Sequence, residues 1–515
     1  MKYCMFTLLV LLMIPQPSSA AWEIVVPGIE YQQFLTYVPP GPTNVYVTRM
    51  HRDSTNCIID SMIAQGRLCK TGLSSGRETV SGMVSRYQDT INYWGSTTSY
   101  SQYWGPRTQI IAAINGDFFN TSSGVPAGGQ FIGGWFAKRF SEYGGNSGFV
   151  WKFNRTCFLG GNVRNGDAPG VFQQLVAFGS STATITKLNT TRGTNELVLY
   201  TPQYGPSTYT DSNGTEVLVR MTQPNLSFPQ HTWYALGTVV QVIPNGGSTP
   251  IPFDHVVFSG NGTQAAYLYS QCPIGQEVRI YMHIKDWGVS TSENPYIPAA
   301  LPYDPDWGKT YASIGGSVYC VVSSKPWFNN WSETQYTIRR PRTAVAFNST
   351  YIYFVVVDGD NPGTNEGMLF TELANFCVDT LNAEFAMAQD GGGSSELWVN
   401  GQVKNNPSDG SERAVANGYV MAVVLPMSKT STFRTGDKVM AKSNAAIRLG
   451  PGTNFDTLTT APIGTIGSII GHSCNGVLAK GTNWWKWKYG STEGWTAETS
   501  LEYVPAGKIN NWDKY

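Results

Sequence analysis

Three strand-like runs end in an acidic or amide residue beside glycine: Ile114-Asn115-Gly116-Asp117, Val356-Val357-Asp358-Gly359 and Gln389-Asp390-Gly391-Gly392-Gly393-Ser394. A carboxylate at such a strand end can activate water, attack an electrophilic carbon or stabilise a developing positive charge. Glycine lets the chain turn sharply there. Three glycines in a row also strip away side chains, so an anion can reach the backbone N–H groups. Arginines accompany these turns: Arg77-Glu78 upstream of the first, Arg339-Arg340-Pro341-Arg342 before the second, and Glu412-Arg413 after the third. The planar guanidinium fork matches phosphate oxygens. The chemistry suggested is carboxylate catalysis next to an anionic group. Each piece alone reads equally well as an ordinary Asp-Gly turn or a surface ion pair.

Taken in order, these pieces resemble the phosphodiester glycosidase family. The matching stretches are Glu78-Thr79-Val80-Ser81, Ile114 to Phe119, Pro126-Ala127-Gly128, Pro341-Arg342-Thr343-Ala344-Val345, Val357-Asp358-Gly359, Gly367-Met368 with Glu372-Leu373-Ala374, Asp390 to Ser395, and Pro407-Ser408-Asp409-Gly410 with Glu412-Arg413. They span residues 28 to 425 apart from a middle insertion. The family pattern has Asn-Leu before the Asp where this chain has Ala388-Gln389, and Gly where it has Ala346. The resemblance implies hydrolysis of the sugar C1–O bond in an α-linked sugar-1-phosphodiester, N-acetylglucosamine-like in its sugar. The expected catalytic residues are Asp390, Asp358, Arg342 and Arg413. Asn115, Asp117, Glu78, Gly391, Gly392, Gly393 and Ser394 are the expected substrate-binding residues. A phosphate monoester leaves readily, so the site needs a carboxylate for water or C1, and donors for the departing phosphate. No cofactor is required; the alternative is that the three Asp residues hold Ca²⁺ or Mg²⁺ through oxygen. Competing functions are a glycosidase acting on another envelope α-glycan and a non-catalytic envelope-binding protein.

The elements that must position these residues are mostly strands. Thr43 to Arg49, Thr108 to Ile114, Tyr351 to Val357 and Ala383 to Ala388 carry strand patterns. Thr371 to Leu381 has helical spacing, with Thr371 as the expected N-cap. Strand, helix and strand within about forty residues form a β-α-β-like unit. The fold expected is α+β, a β-rich catalytic domain followed by a small all-β SH3-like barrel. Residues 22–425 form the catalytic domain, and 161–255 a β-rich insertion or lobe with Asn-Gly turns at 165, 213 and 245. Residues 426–436 are a polar linker, 437–504 the barrel and 505–515 a tail. The barrel resembles a bacterial SH3 domain in Ile447 to Phe455, Pro462 to Thr465, Trp484 to Tyr489 and Glu493 to Thr496. That resemblance implies cell-wall binding, with the aromatics serving either as a binding platform or as a small core.

Composition sets the surroundings. Lys+Arg and Asp+Glu are both 35, so no basic field exists to hold nucleic acid. The 14% charged and 13% aromatic fractions suit a β-rich extracellular protein, either one whose aromatic faces meet sugars or, the reading composition alone favours, one built simply of many short strands and turns. Lys2, the apolar run Met5 to Ile14 and the small residues up to Ala20 read as a secretory signal peptide over 1–20. No later run is long enough for a transmembrane anchor. The expected location is extracellular or at the cell envelope, with a sugar phosphodiester or envelope polysaccharide as partner. Cys4 leaves with the signal, and the seven remaining cysteines leave at least one unpaired; Cys57–Cys69 and Cys272–Cys320 are plausible disulfides there. Wide cysteine spacing and few histidines disfavour zinc, and His255 and His283 read as structural.

Overall fold

The computed structural model describes residues 21–92, 106–139, 148–159, 163–164, 175–222, 234–281, 285–286, 310–315, 318–327 and 337–505. The signal peptide, the Asn165-Gly166 turn, His283 and most of the tail lie outside these residues. The chain is β-rich, with few helices.

A central antiparallel sheet of eight strands carries, side by side, Gly41–His51, Tyr351–Val357, Arg342–Phe347, Phe385–Ala388 and Val318–Val322. Tyr351–Val357 is apolar almost throughout because both faces of the sheet are covered. Phe354 and Val356 face a second sheet and join its core. Val355 and Val357 face the opposite way, into a core with Phe370, Leu373 and Phe376. The second sheet contributes Leu397–Val399, Arg107–Asn115, Asn417–Leu425 and Cys57–Ile63. The two sheets therefore form a sandwich, and their neighbouring strand ends gather Asn115, Asp358 and Asp390 at one end.

The expected helix starts one residue early and changes character. Phe370–Asn375 is α-helical, and Phe376–Thr380 continues as a π-turn. Leu369, not Thr371, is the N-cap: Glu372 Oε2 accepts from Leu369 N at 2.9 Å. Glu372 supplies the half of a capping box that satisfies the N-cap's own N–H. The strands flanking this helix are not adjacent. Arg342–Phe347 lies between them, antiparallel to both, which makes the unit a split β-α-β.

A third sheet, Trp135–Lys138, Gln130–Ile132, Thr310–Ile314, Phe149–Lys152 and Cys157–Leu159, joins the sandwich to the middle lobe. Its Trp151 and Ile314 face the sandwich core, while Phe131 and Val150 face the lobe core. The lobe is an eight-stranded sheet running in sequence from Leu175 to Tyr281. It extends past residue 255, because Glu277–Tyr281 pairs between Leu175–Phe178 and Ala235–Pro244. Asn213-Gly214 and Asn245-Gly246 sit at strand ends rather than in two-residue hairpins; the paired neighbours Gly214–Met221 and Ala235–Pro244 are joined by the longer stretch between them.

Residues 438–503 form a sheet of their own, Lys438–Ala441 to Leu501–Tyr503. Trp484, Trp485, Trp487 and Trp495 are all buried, so these aromatics fill cores and present no platform. The connector before this unit is fastened to it: Lys429 bridges Val477, and Phe433 packs edge-on against Trp485 at 5.2 Å. The unit also docks on the rest of the chain. Phe253 of the lobe packs among Phe455, His472 and Trp495, each with ring centroids 5.7 Å away. Lys480 donates to the carbonyls of Ser85 and Gln88 at 2.8 and 3.0 Å.

All seven described cysteines are free. The two expected disulfides are absent for a packing reason. Cys57, Cys272 and Cys320 belong to three separate cores, where each thiol packs as a small apolar group. Cys69 lies beside Thr71 Oγ1 at 3.3 Å.

Candidate active site

The Arg107–Asn115 strand and the turn after Phe385–Ala388 are stitched together at the sandwich end. Asn115 Nδ2 donates to Asp390 O at 2.7 Å, and Asn115 Oδ1 accepts from Thr343 Oγ1 at 2.8 Å and from Glu396 N at 3.2 Å. Asp390 N donates to Gly116 O at 2.9 Å. Asn115 is fully buried. It is a brace between the two sheets, buried and bonded through both its oxygen and its nitrogen, rather than a group free to hold a sugar hydroxyl.

Two carboxyls result from this bracing. Asp117 is held by Phe118 N on Oδ1 at 2.7 Å and Gly128 N on Oδ2 at 2.5 Å, while its own N–H donates to Asn417 Oδ1 at 3.0 Å. Gly128 is required: a Cβ there would strike Asp117 Oδ2 and Gly315. Burial pushes the Asp117 carboxyl up to about 7; the two amides and Lys138 pull down, and neighbouring Asp390 pushes up. Burial also raises Asp390, opposed by Ser394, the Gly391 amide and Arg413. Asp390 lies close enough for its charge to push the Asp117 carboxyl up.

The triple-glycine turn follows Asp390 directly. Gly392 has φ +61 and open space where a Cβ would stand, while a Cβ on Gly393 would overlap Arg413 Nη2 and Asp409 Oδ1. Arg413 makes a bidentate pair with Asp409, 2.6 Å from Nε and 2.8 Å from Nη2, and reaches Ser394 Oγ at 3.5 Å from Nη1. Its side chain is 38% exposed. It is therefore oriented by Asp409 yet open to a ligand.

The other expected residues are placed differently. Arg342 is buried, with Nε on Met368 O at 2.8 Å, Nη2 on Ile338 O at 2.9 Å, and its guanidinium over the Phe370 ring at 4.4 Å. Burial lowers its pKa to about 10. These bonds tie it to the helix approach. Asp358 accepts from Tyr46 Oη, Asn406 N and Asn406 Nδ2 at 3.1, 2.9 and 2.8 Å. A bonded chain links it to the pocket, since Asn405 Nδ2 donates to Ser395 O at 2.9 Å, but its oxygens are committed. Glu78 accepts from Gln65 N at 2.6 Å and pairs with Arg86 at 3.1 Å, and no described contact joins it to Asp390. Among the described residues, no three of His, Cys, Asp and Glu converge as a metal cluster.

Sequence reasoning passed over Gln389 and Glu396. Gln389 is buried with neither Oε1 nor Nε2 bonded, and Ser395 Oγ and Glu396 Oε1 are also buried without partners. Such groups are costly and uncommon, yet four of these atoms fall within residues 389–396. Burial and then Glu412 raise the Glu396 carboxyl to about 9, so this pair holds a proton at neutral pH. Glu412 in turn accepts from Ser81 Oγ at 2.9 Å. The departure Ala388-Gln389 was the visible signal for the first residue; nothing in the sequence marks the second.

Residues 270–422 match the model of the phosphodiester glycosidase family. That stretch holds Arg342, Asp358, Asp390 and Arg413, whereas Asn115 and Asp117 lie outside it. None of the curated proteins matches the chain. Among solved structures, the chain is similar to a hypothetical protein from Synechocystis at 18% identity and TM-score 0.46, covering 79% of this chain and 64% of that one. It is similar to a Burkholderia pseudomallei protein taken to be exported at 18% identity and TM-score 0.45, covering 75% and 74%. A third similarity is to the zebrafish N-acetylglucosamine-1-phosphodiester α-N-acetylglucosaminidase catalytic domain, auto-inhibited by its pro-peptide, at 14% identity and TM-score 0.35, covering 79% and 87%. The chain thus spans less than two thirds of the Synechocystis protein's length.

Proposed function

We propose that this protein is a secreted hydrolase that cleaves the C1–O bond of an α-linked sugar-1-phosphodiester. The observation that carries the reading is the cluster of Asp390, Ser394 and Arg413 around the triple-glycine turn, near enough to Asp117 for the charge of Asp390 to be felt there, with Asp390 and Arg413 inside the family-matched stretch. Asp390 activates water or attacks C1. Asp117, buried with each oxygen on a backbone amide, acts through position by fixing the turn at Phe118 and Gly128. Arg413 and the amide of Gly393 receive the charge that develops on the departing phosphate, whereas the Gly391 amide is spent on the Asp390 carboxyl and Gly392 N donates to Pro341 O at 2.9 Å. Arg342 and Asp358 act through position: one fixes the Pro341 strand end against the helix, the other fixes the 405–406 turn. The N-terminal apolar run supports secretion, and among the described residues no helix is long and apolar enough to cross a membrane. A bound Ca²⁺ or Mg²⁺ is the secondary reading; full activity in EDTA would remove it.

The test is incubation of purified protein with UDP-N-acetylglucosamine and with the methyl phosphodiester of N-acetylglucosamine, following free sugar. Release of sugar that disappears in Asp390→Asn supports the reading. No release from either substrate, with the fold verified by circular dichroism, counts against it.

A further inference from the structure

A cavity of about 180 Å³ opens where three parts of the molecule meet. Asp60 and Trp135 come from the sandwich and its bridging sheet, Gln203 and Phe253 from the lobe, and Asn454 and Phe455 from the C-terminal unit. It is separate from the Asp390 pocket. Thr108 and Ile110 line it near the start of the Arg107–Asn115 strand, whereas Asn115 is that strand's last residue. At ~3.3 Å per residue, Ile110 and Asn115 stand about 17 Å apart.

The charges on its walls are specific. Arg67 pairs with Asp456 at 3.2 Å and Arg86 with Glu78 at 3.1 Å. Among the described residues no ion pair holds Asp60. Its Oδ1 instead accepts from Ser61 N at 2.7 Å and Gly133 N at 2.9 Å, and the Tyr311 hydroxyl also bonds its carboxyl. Two arginines disfavour a cationic ligand, and Asp60 disfavours an anionic one. Trp135, Phe253 and Phe455 make part of the lining aromatic, the kind of wall against which a sugar packs. Two residues of the lining carry buried polar atoms without a partner, the donor Arg67 Nε and the acceptor Asn454 Oδ1.

We propose that this cavity binds one neutral, hydroxyl-rich molecule of monosaccharide size, held by Asp60, Asn454 and the aromatic walls. It is a second sugar site, remote from the reacting carboxylates, and its ligand ties the lobe and the C-terminal unit to the sandwich. Burial raises the Asp60 carboxyl to about 7, so near neutral pH it serves a hydroxyl as donor or acceptor. Because the walls come from three parts, occupancy also raises the melting temperature by mass action.

Isothermal titration calorimetry on the full chain tests this with glucose, N-acetylglucosamine and mannitol as neutral probes, and choline and inorganic phosphate as charged ones. One neutral probe is expected to bind with one-to-one stoichiometry. Asp60→Ala and Asn454→Ala should each weaken it at least about tenfold, the loss of one good hydrogen bond. Asp390→Asn should leave it unchanged. Asn454→Ala keeps the test valid should Asp60→Ala fail to fold. The proposal is overturned by no saturable binding of any neutral probe up to about 10 mM, well above a millimolar Kd. Preferential binding of choline or phosphate overturns it as well. So does binding that Asn454→Ala leaves intact or that Asp390→Asn removes, the latter because the sugar would then sit in the candidate active site.

Discussion

Gly393→Ala separates the orientation of Arg413 from its charge. The added Cβ would overlap Arg413 Nη2 and Asp409 Oδ1. Both are ends of flexible side chains, 38% and 41% exposed, so the pair swings outward and the backbone stays. An exposed pair of this kind contributes only about 0–1 kcal/mol to stability, and the melting temperature should hardly move. Activity should respond strongly. If Arg413 receives charge on the departing phosphate, losing that donor costs ~10²–10³ in kcat, about 3–4 kcal/mol of transition-state stabilisation. Gly392→Ala is the contrasting variant: its Cβ meets nothing within 4 Å, but φ is +61, so it costs ~1–2 kcal/mol of stability without moving Arg413. The assay is steady-state release of sugar from the methyl phosphodiester, paired with thermal unfolding. Arg413→Ala and Gly393→Ala should not add, because both remove the same contact. Near-normal kcat/KM in a folded Gly393→Ala protein would refute the role given to Arg413.

Asp390→Asn should abolish turnover with the fold intact, a loss of at least ~10²–10⁴, whereas Asp117→Asn should mainly raise KM; equal kcat in Asp390→Asn and wild type would take Asp390 off the catalytic list. Asp117 also predicts a pH effect on stability. Its folded pKa, about 7 against an ordinary 3.8, is raised, so its contribution is complete below about 4 and is lost as pH climbs through 7. Chemical denaturation should therefore show wild type losing about 2–3 kcal/mol relative to Asp117→Asn between pH 5 and pH 8; a constant gap would contradict the buried carboxyl. Gln389→Met removes two unpartnered buried atoms and should stabilise by ~1–3 kcal/mol, and a simultaneous fall in activity would mark the carboxamide as a substrate contact. Phe253→Ala empties the aromatic junction with Trp495 and Phe455 and should cost ~3–5 kcal/mol, with proteolysis releasing the C-terminal unit first; unchanged protease resistance would show that the unit is held by other contacts.

Much of the fold was legible because its signals are local. Tyr351–Val357 announces a strand buried on both faces by being apolar throughout, and Asn115, Asp358 and Asp390 announce turns by the glycines beside them. The candidate site was half legible for the same reason. Residue type and a neighbouring glycine mark a strand end, but they do not say which way a side chain faces or whether its bonds are already used. Asn115 and Asp358 turned out to be braces, Arg342 a tie between carbonyls, and Glu78 the partner of Arg86. Glu396 was invisible because its state depends on Glu412, which only the folded chain sets beside it.

The sequence by itself determined the strand-rich class and where the turns with Asp, Asn and Gly fall. Both follow from periodicity, turn residues and side-chain type within a few positions of one another. Only the tertiary structure decided which carboxyls lie near one another, which cysteines lie in which core, that the connector is fastened to the C-terminal unit and that this unit docks on Phe253. Asp117 and Asp390 are 273 positions apart, and their coupling arises from two sheets packing face to face. Burial and proximity, which shift a pKa or commit a hydrogen bond, are properties of packing between distant segments and leave no local mark on the chain.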